Sequence, residues 1–64
     1  MSVYPLPNGS QVWFHDADVY SLMLMGDKGG GEPTMLHVWL RGSRAEITLY
    51  DRTTFLPLWE RVTR

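Results

Sequence analysis

Apolar side chains recur at every second position through Leu22 and Leu24, Leu36 to Leu40, and Ile47 and Leu49, the period of a half-buried β-strand. Gly42-Ser43 interrupts the pattern with a glycine-first pair suited to a type II′ hairpin turn between Thr34–Arg41 and Arg44–Tyr50. With that turn, Leu40 faces Ala45, Val38 faces Ile47 and Leu36 faces Leu49. Continuing into the preceding strand, Leu24 pairs with Leu36, Leu22 with Val38 and Tyr20 with Leu40. Nine apolar residues then share one face of an antiparallel meander, and a slip of one residue would break the match.

The flanking segments supply what packs around this meander. Val3–Pro7 and Ser10–Phe14 bracket Asn8-Gly9, the residue pair of a type I′ turn. The resulting hairpin carries Tyr4, Leu6 and Trp13 on one face, and Pro5 and Pro7, lacking amide donors, confine its first strand to a sheet edge. His15 to Asp18 form a bend, and Val19 to Met25 resume as strand. Gly26 to Pro33 has no periodicity and three consecutive glycines, which predicts a mobile hairpin tip. No helix start or Lys-Ser/Thr pair follows those glycines, so they do not make a phosphate loop.

Near the carboxyl terminus the period changes. Phe55, Leu58, Trp59 and Val62 follow the i, i+3, i+4, i+7 spacing of a helical stripe, with Thr53 or Thr54 as N-cap and Pro57 in the first turn. This stripe is the natural cover for the apolar face of the meander. The expected architecture is α+β: a small antiparallel sheet of four to five strands built as a hairpin meander, with one C-terminal α-helix packed on one face. A chain of 64 residues supports one hydrophobic core, so residues 1–64 are read as one domain.

The reverse side of the meander is unusual for a solvent face. The register gathers Ser21, Met23 and Met25 beside Met35, His37 and Trp39, then Thr48 and Tyr50, with Glu46, Arg41 and Arg44 at one end. Exposed sheet faces ordinarily alternate to charged and hydroxyl residues. Either the amino-terminal hairpin folds over this side and closes a small barrel or sandwich, or it is a binding or self-association surface of the Met, Trp, Tyr and Arg types enriched at interface cores.

Composition narrows the chemistry. The chain is 44% hydrophobic and 20% charged, within the globular range. It has no cysteine, which excludes disulfides and thiolate chemistry, and no apolar run long enough to span a bilayer. A net charge of −1 argues against a dedicated nucleic-acid binder. The charge is uneven: residues 1 to 40 hold Asp16, Asp18, Asp27 and Glu32 against Lys28, whereas residues 41 to 64 hold five arginines against Glu46, Asp51 and Glu60. His15, Asp16 and Asp18 are the only local His/carboxylate cluster, too few for a supported metal centre and read as turn-formers or caps. No serine lies in a nucleophile motif, and His37 reads as a packed or interfacial residue beside Trp39 and Met35. The expectation is a non-enzyme without cofactor or metal.

A chain of this length with no catalytic set, starting at Met1 and closing at Arg64 directly after a helix, resembles in size and build the small inhibitors encoded by phages and other mobile elements, including anti-CRISPR proteins. That resemblance implies a bacterial defence or transcription complex as partner, carboxylates standing in for nucleic-acid phosphates, and a place in the cytoplasm of a bacterial host. The expected function is therefore a protein-binding module that blocks a site on a larger protein complex. Its candidate contact residues are Asp16, Asp18, Asp27, Glu32, Met35, His37, Trp39 and Tyr50. The alternatives are a nucleic-acid-binding β module, in which Trp39, Tyr50 and His37 stack on bases while Arg41, Arg44 and Arg52 meet phosphates, and a small homo-oligomeric structural protein.

Overall fold

The computed structural model describes residues 2–26 and 31–64. In chain order it contains β1 (Ser2–Pro5), β2 (Gln11–Phe14), a 3-10 turn (Asp16–Asp18), β3 (Val19–Gly26), β4 (Pro33–Leu40), β5 (Glu46–Leu49) and α1 (Arg52–Thr63). Strands β1 and β2 pair antiparallel, and β3, β4 and β5 form a second, three-stranded antiparallel sheet in sequence order. The fold is a small α+β arrangement of two sheets and one C-terminal helix. Of the glycine-rich tip, residues 27–30, Asp27 among them, lie outside the described residues, whereas Gly26 and Pro33 belong to β3 and β4.

The register of the meander follows the apolar pattern. Leu24 faces Leu36, Leu22 faces Val38, Val38 faces Ile47 and Leu36 faces Leu49. Leu36, Val38 and Leu49 are fully buried as a result. Tyr20 departs from its expected inward place. The register shifts between Val19 and Ser21, so that Val19 rather than Tyr20 faces Leu40. One extra residue in a strand reverses the facing of everything beyond it, and Val19 is 6% exposed where Tyr20 is 71% exposed. The start of the bulged strand is tied down by the Arg41 amide, which donates to the Asp18 carbonyl at 2.8 Å.

Both hairpin turns differ from the sequence expectation while their glycines remain decisive. In the β4–β5 connection the Ser43 amide donates to the Leu40 carbonyl at 3.2 Å, placing Arg41 and Gly42 at the turn centre. Gly42 has φ +77°, the second-position geometry of a type II turn rather than the first position of type II′. Ala45 consequently stays exposed in a longer loop, although the strand register is unchanged. In the first hairpin the Gly9 amide donates to the Leu6 carbonyl and the Leu6 amide to the Ser10 carbonyl. Pro7, Asn8 and Gly9 thus form a three-residue loop, with positive φ at Gly9 alone. Proline fixes the φ that the first central position of a type I turn needs, and glycine completes the bulge that follows.

That extra loop residue shifts the β1–β2 register by one. Tyr4 faces Val12 and Val3 faces Trp13, so Trp13 lies on the side opposite Tyr4 and Leu6, contrary to expectation. Tyr4 and Phe14 instead share the inner side, their rings stacked with centroids 4.8 Å apart, while Trp13 is 59% exposed.

Helix α1 begins earlier than expected because Asp51, not Thr53 or Thr54, is its N-cap. The Asp51 carboxylate accepts from the Thr53 amide at 3.1 Å and from the Thr53 hydroxyl at 2.7 Å, a role for which aspartate outranks threonine. Pro57 is then the sixth helical residue rather than a first-turn residue. Phe55 and Leu58 are fully buried, and Leu56, Trp59 and Val62 pack against the same cluster.

One core results. Tyr4 and Phe14 from the hairpin, Val19, Leu36, Val38 and Leu49 from the sheet, and Phe55 and Leu58 from the helix form a contiguous buried cluster. Hairpin and helix therefore cover the same side of the three-stranded sheet. Closure of the hairpin over the methionine-bearing side does not occur, because the shifted register commits Tyr4 and Phe14 to the helix side.

Candidate functional site

On β4, Met35, His37 and Trp39 alternate with the fully buried Leu36 and Val38, and so project from the side away from the helix. Their partners across the ladder are Met25, Met23 and Ser21 on β3, and Thr48 and Glu46 on β5. Met23 is 51% exposed and Met25 40%. Tyr50, the residue directly after β5, follows the same alternation and is 51% exposed. The structure thus brings Met35, His37 and Trp39 together in one row, with Tyr50 at its β5 border.

The centre of this face is ordered by polar contacts that sequence reasoning did not identify. His37 Nδ1–H donates to the Glu46 carboxylate, and the Thr48 hydroxyl lies 3.3 Å from the same ring nitrogen and 3.4 Å from that carboxylate. Because a carboxylate only accepts, Nδ1 is the donor of this contact. The His37 ring also stacks on Trp39, centroids 6.1 Å apart and planes inclined by 30°. The signal was available: Trp39 faces Glu46 and His37 faces Thr48, so Glu46 is the diagonal neighbour of His37, within reach on one sheet face.

A cleft borders each end of the face. At one end Ser21, Met23, Trp39 and Arg44 are among the residues around a volume of about 500 Å³. At the other, Tyr50 with Pro33, Thr34 and the start of α1 encloses about 390 Å³. The first is lined chiefly by apolar and aromatic groups with one guanidinium; the second is lined by hydroxyls and by Asp51 and Arg52.

The acidic candidates lie apart from this face, and each described one has an intramolecular partner. Arg61 donates from Nε to Asp16 Oδ2 at 2.6 Å and from Nη2 to Asp16 Oδ1 at 3.1 Å, while Nη2 also reaches the Tyr4 hydroxyl at 3.2 Å. This contact ties the helix, the 3-10 turn and the first hairpin together. The hydrogen bonds from Arg61 hold the Asp16 carboxyl below its ordinary value, and Asp16 in turn raises that of Arg61. Asp18 accepts from the His15 amide at 3.2 Å, the capping role expected of it. Glu32 pairs with Arg52. Asp27 lies outside the described residues. Among the described residues, no group of three or more His, Asp or Glu side chains is arranged to hold a metal ion.

A second apolar exposure was missed as well: Val3, 50% exposed, faces Trp13 across the outer side of the first hairpin. Among the described residues no helix is long and apolar enough to cross a membrane. No protein-family model, curated protein or solved structure matches this chain.

Proposed function

We propose that this chain is a protein-interaction module that occupies a site on a larger protein with the outer face of its three-stranded sheet. The observation that carries the reading is one-sided packing: helix and hairpin both lie on the inner side, and Met23, Met25 and Tyr50 remain 40–51% exposed beside Trp39. Methionine, tryptophan and tyrosine give large contact area at the centre of protein interfaces. The His37–Glu46–Thr48 contacts fix the shape of the middle of the face before any partner arrives, which lowers the entropy of docking. Blocking a larger complex requires such a surface and no chemistry.

The same geometry favours the aromatic face over acidic mimicry of nucleic acid. Asp16, Asp18 and Glu32 would have to give up Arg61, the His15 amide and Arg52 in order to engage a partner.

The test compares three immobilised baits in a bacterial lysate: the unaltered chain, Tyr50→Glu on the face, and Glu60→Lys on the exposed side of α1. A protein held by the unaltered chain and by Glu60→Lys, and weakened at least about 30-fold by Tyr50→Glu, supports the reading, since an aromatic hot spot is worth about 2 kcal/mol or more. Equal retention by all three baits would overturn it. Saturable binding of single-stranded DNA or RNA that weakens steeply with salt would replace it with the nucleic-acid module.

A further inference from the structure

Strand β3 ends the sheet, and among the described residues no segment pairs with its outer edge. Such an edge carries a row of unpaired backbone donors and acceptors, which proteins ordinarily guard with lysine, proline, inward charge or short length. The β5 edge is only four residues long and includes Glu46. By contrast, β3 spans eight residues, Val-Tyr-Ser-Leu-Met-Leu-Met-Gly, without a charge or a proline.

We infer that β3 pairs antiparallel with β3 of a second copy of this chain, about a two-fold axis at Met23, making one six-stranded sheet. Three observations set this register. The ladder between β3 and β4 is regular only from Ser21 to Met25, with shifts at both ends, and Met23 is the midpoint of that run. A two-fold there places Met23 against its own copy and Ser21 against Met25 of the second copy, small against long. Ser21 also borders the cleft lined by Met23 and Trp39, so the Met25 side chain of the second copy enters that cleft, where thioether and indole make a favourable contact. On the inner side, the half-buried Leu22 and Leu24 meet Leu24 and Leu22 of the second copy, extending both cores.

No charged residue lies within the paired run itself. Pairing draws Met23, Met25 and the cleft beside Trp39 into the contact between copies, whereas His37, Thr48 and Tyr50 stay open on both copies for the protein partner proposed above. A contact of this kind buries less than about 1,200 Å², the range of weak association.

Sedimentation equilibrium of the full chain from about 5 µM to about 1 mM covers the affinities such an interface supports. The expected result is a monomer–dimer equilibrium that Met23→Lys and Met23→Glu each weaken at least about tenfold, since like charges then oppose each other across the axis. Mixing the two variants in equal amounts restores the dimer. Because the native chain has no cysteine, Met23→Cys gives a second readout: directly opposed residues on antiparallel strands lie about 4.5–5.5 Å apart at Cα, within disulfide range. Met23→Cys therefore oxidises to a covalent dimer much faster than Tyr50→Cys. A chain that stays monomeric throughout, a dimer indifferent to Met23→Lys, or equal cross-linking of the two cysteine variants would overturn the inference. Each of these results leaves the partner-binding reading to its own test.

Discussion

Replacing Leu36 by alanine and, separately, Met23 by threonine measures the difference between the two faces of the sheet. Leu36 is fully buried, faces Leu24 on one side and Leu49 on the other, and belongs to the cluster that includes Phe55 and Leu58. Truncating such a leucine removes its transfer energy and leaves a cavity, a loss of about 3 to 5 kcal/mol. A chain of this size has a total stability of about 3 to 10 kcal/mol, so Leu36→Ala removes a third of it or more. Met23, one strand away, is 51% exposed, and Met25 beside it on the same face is 40% exposed. Threonine keeps the strand preference, and the expected change is within about 0.5 kcal/mol.

The assay is urea unfolding followed by tryptophan fluorescence at about 1 µM protein, low enough for any self-paired form to dissociate. With a slope near 1 kcal/mol per molar urea for a domain this small, the midpoint should fall by about 3 M or more for Leu36→Ala and by about 0.5 M or less for Met23→Thr. Comparable losses from both substitutions at that concentration would mean that Met23 is covered within the single chain. The one-sided core, and the interaction surface argued from it, would then be refuted.

The Asp16–Arg61 contact gives a pH-dependent expectation. Arg61 lowers the Asp16 value in the folded chain below 3.8, so the contribution is fully present above about pH 4 and disappears as pH falls through the lowered folded value. Both side chains are about two-fifths exposed, which limits the contribution to under about 1 kcal/mol. Asp16→Asn should therefore lower the urea midpoint at neutral pH, and the gap should close on acidification. Pro57→Ala acts in the opposite direction: proline at the sixth helical position withholds a hydrogen bond from the Thr53 carbonyl, so alanine should raise stability by about 1 to 3 kcal/mol, read as a higher melting temperature.

The central meander was legible because its register is fixed by apolar residues at a strict period of two, and a slip would bury Met35 and Trp39 in place of Leu36 and Val38. Tyr20 escaped that logic because a bulge inserts a residue without changing the apolar count of the strand. The first hairpin escaped it because Asn8-Gly9 reads as a complete turn until Pro7 is recognised as the residue that presets a three-residue loop. The helix stripe of Phe55, Leu58, Trp59 and Val62 was visible from spacing alone, whereas its start depended on one aspartate just outside the pattern. Of the site, the row Met35, His37 and Trp39 followed from alternation. The Arg61–Asp16–Tyr4 contact joins residues up to 57 positions apart, and no local rule connects them.

The turn of the first hairpin decides which surfaces the chain leaves open. A two-residue turn at Asn8-Gly9 would have faced Trp13 with Tyr4, giving the first hairpin a broad aromatic side. The three-residue loop instead turns Phe14 and Val12 inward with Tyr4 and Leu6, a row that fits beside α1 and completes the core on the helix side. Once hairpin and helix share that side, nothing of comparable size among the described residues remains to cover the methionines, Trp39 and Tyr50, and the same slip turns Val3 and Trp13 outward. A loop that begins at Pro7 and has positive φ at Gly9 alone thus divides the apolar surface of this chain into one enclosed core and an open sheet face. Shortening the loop would not merely tighten the hairpin; it would exchange Trp13 for Phe14 in the core and unseat the packing on which the open face depends.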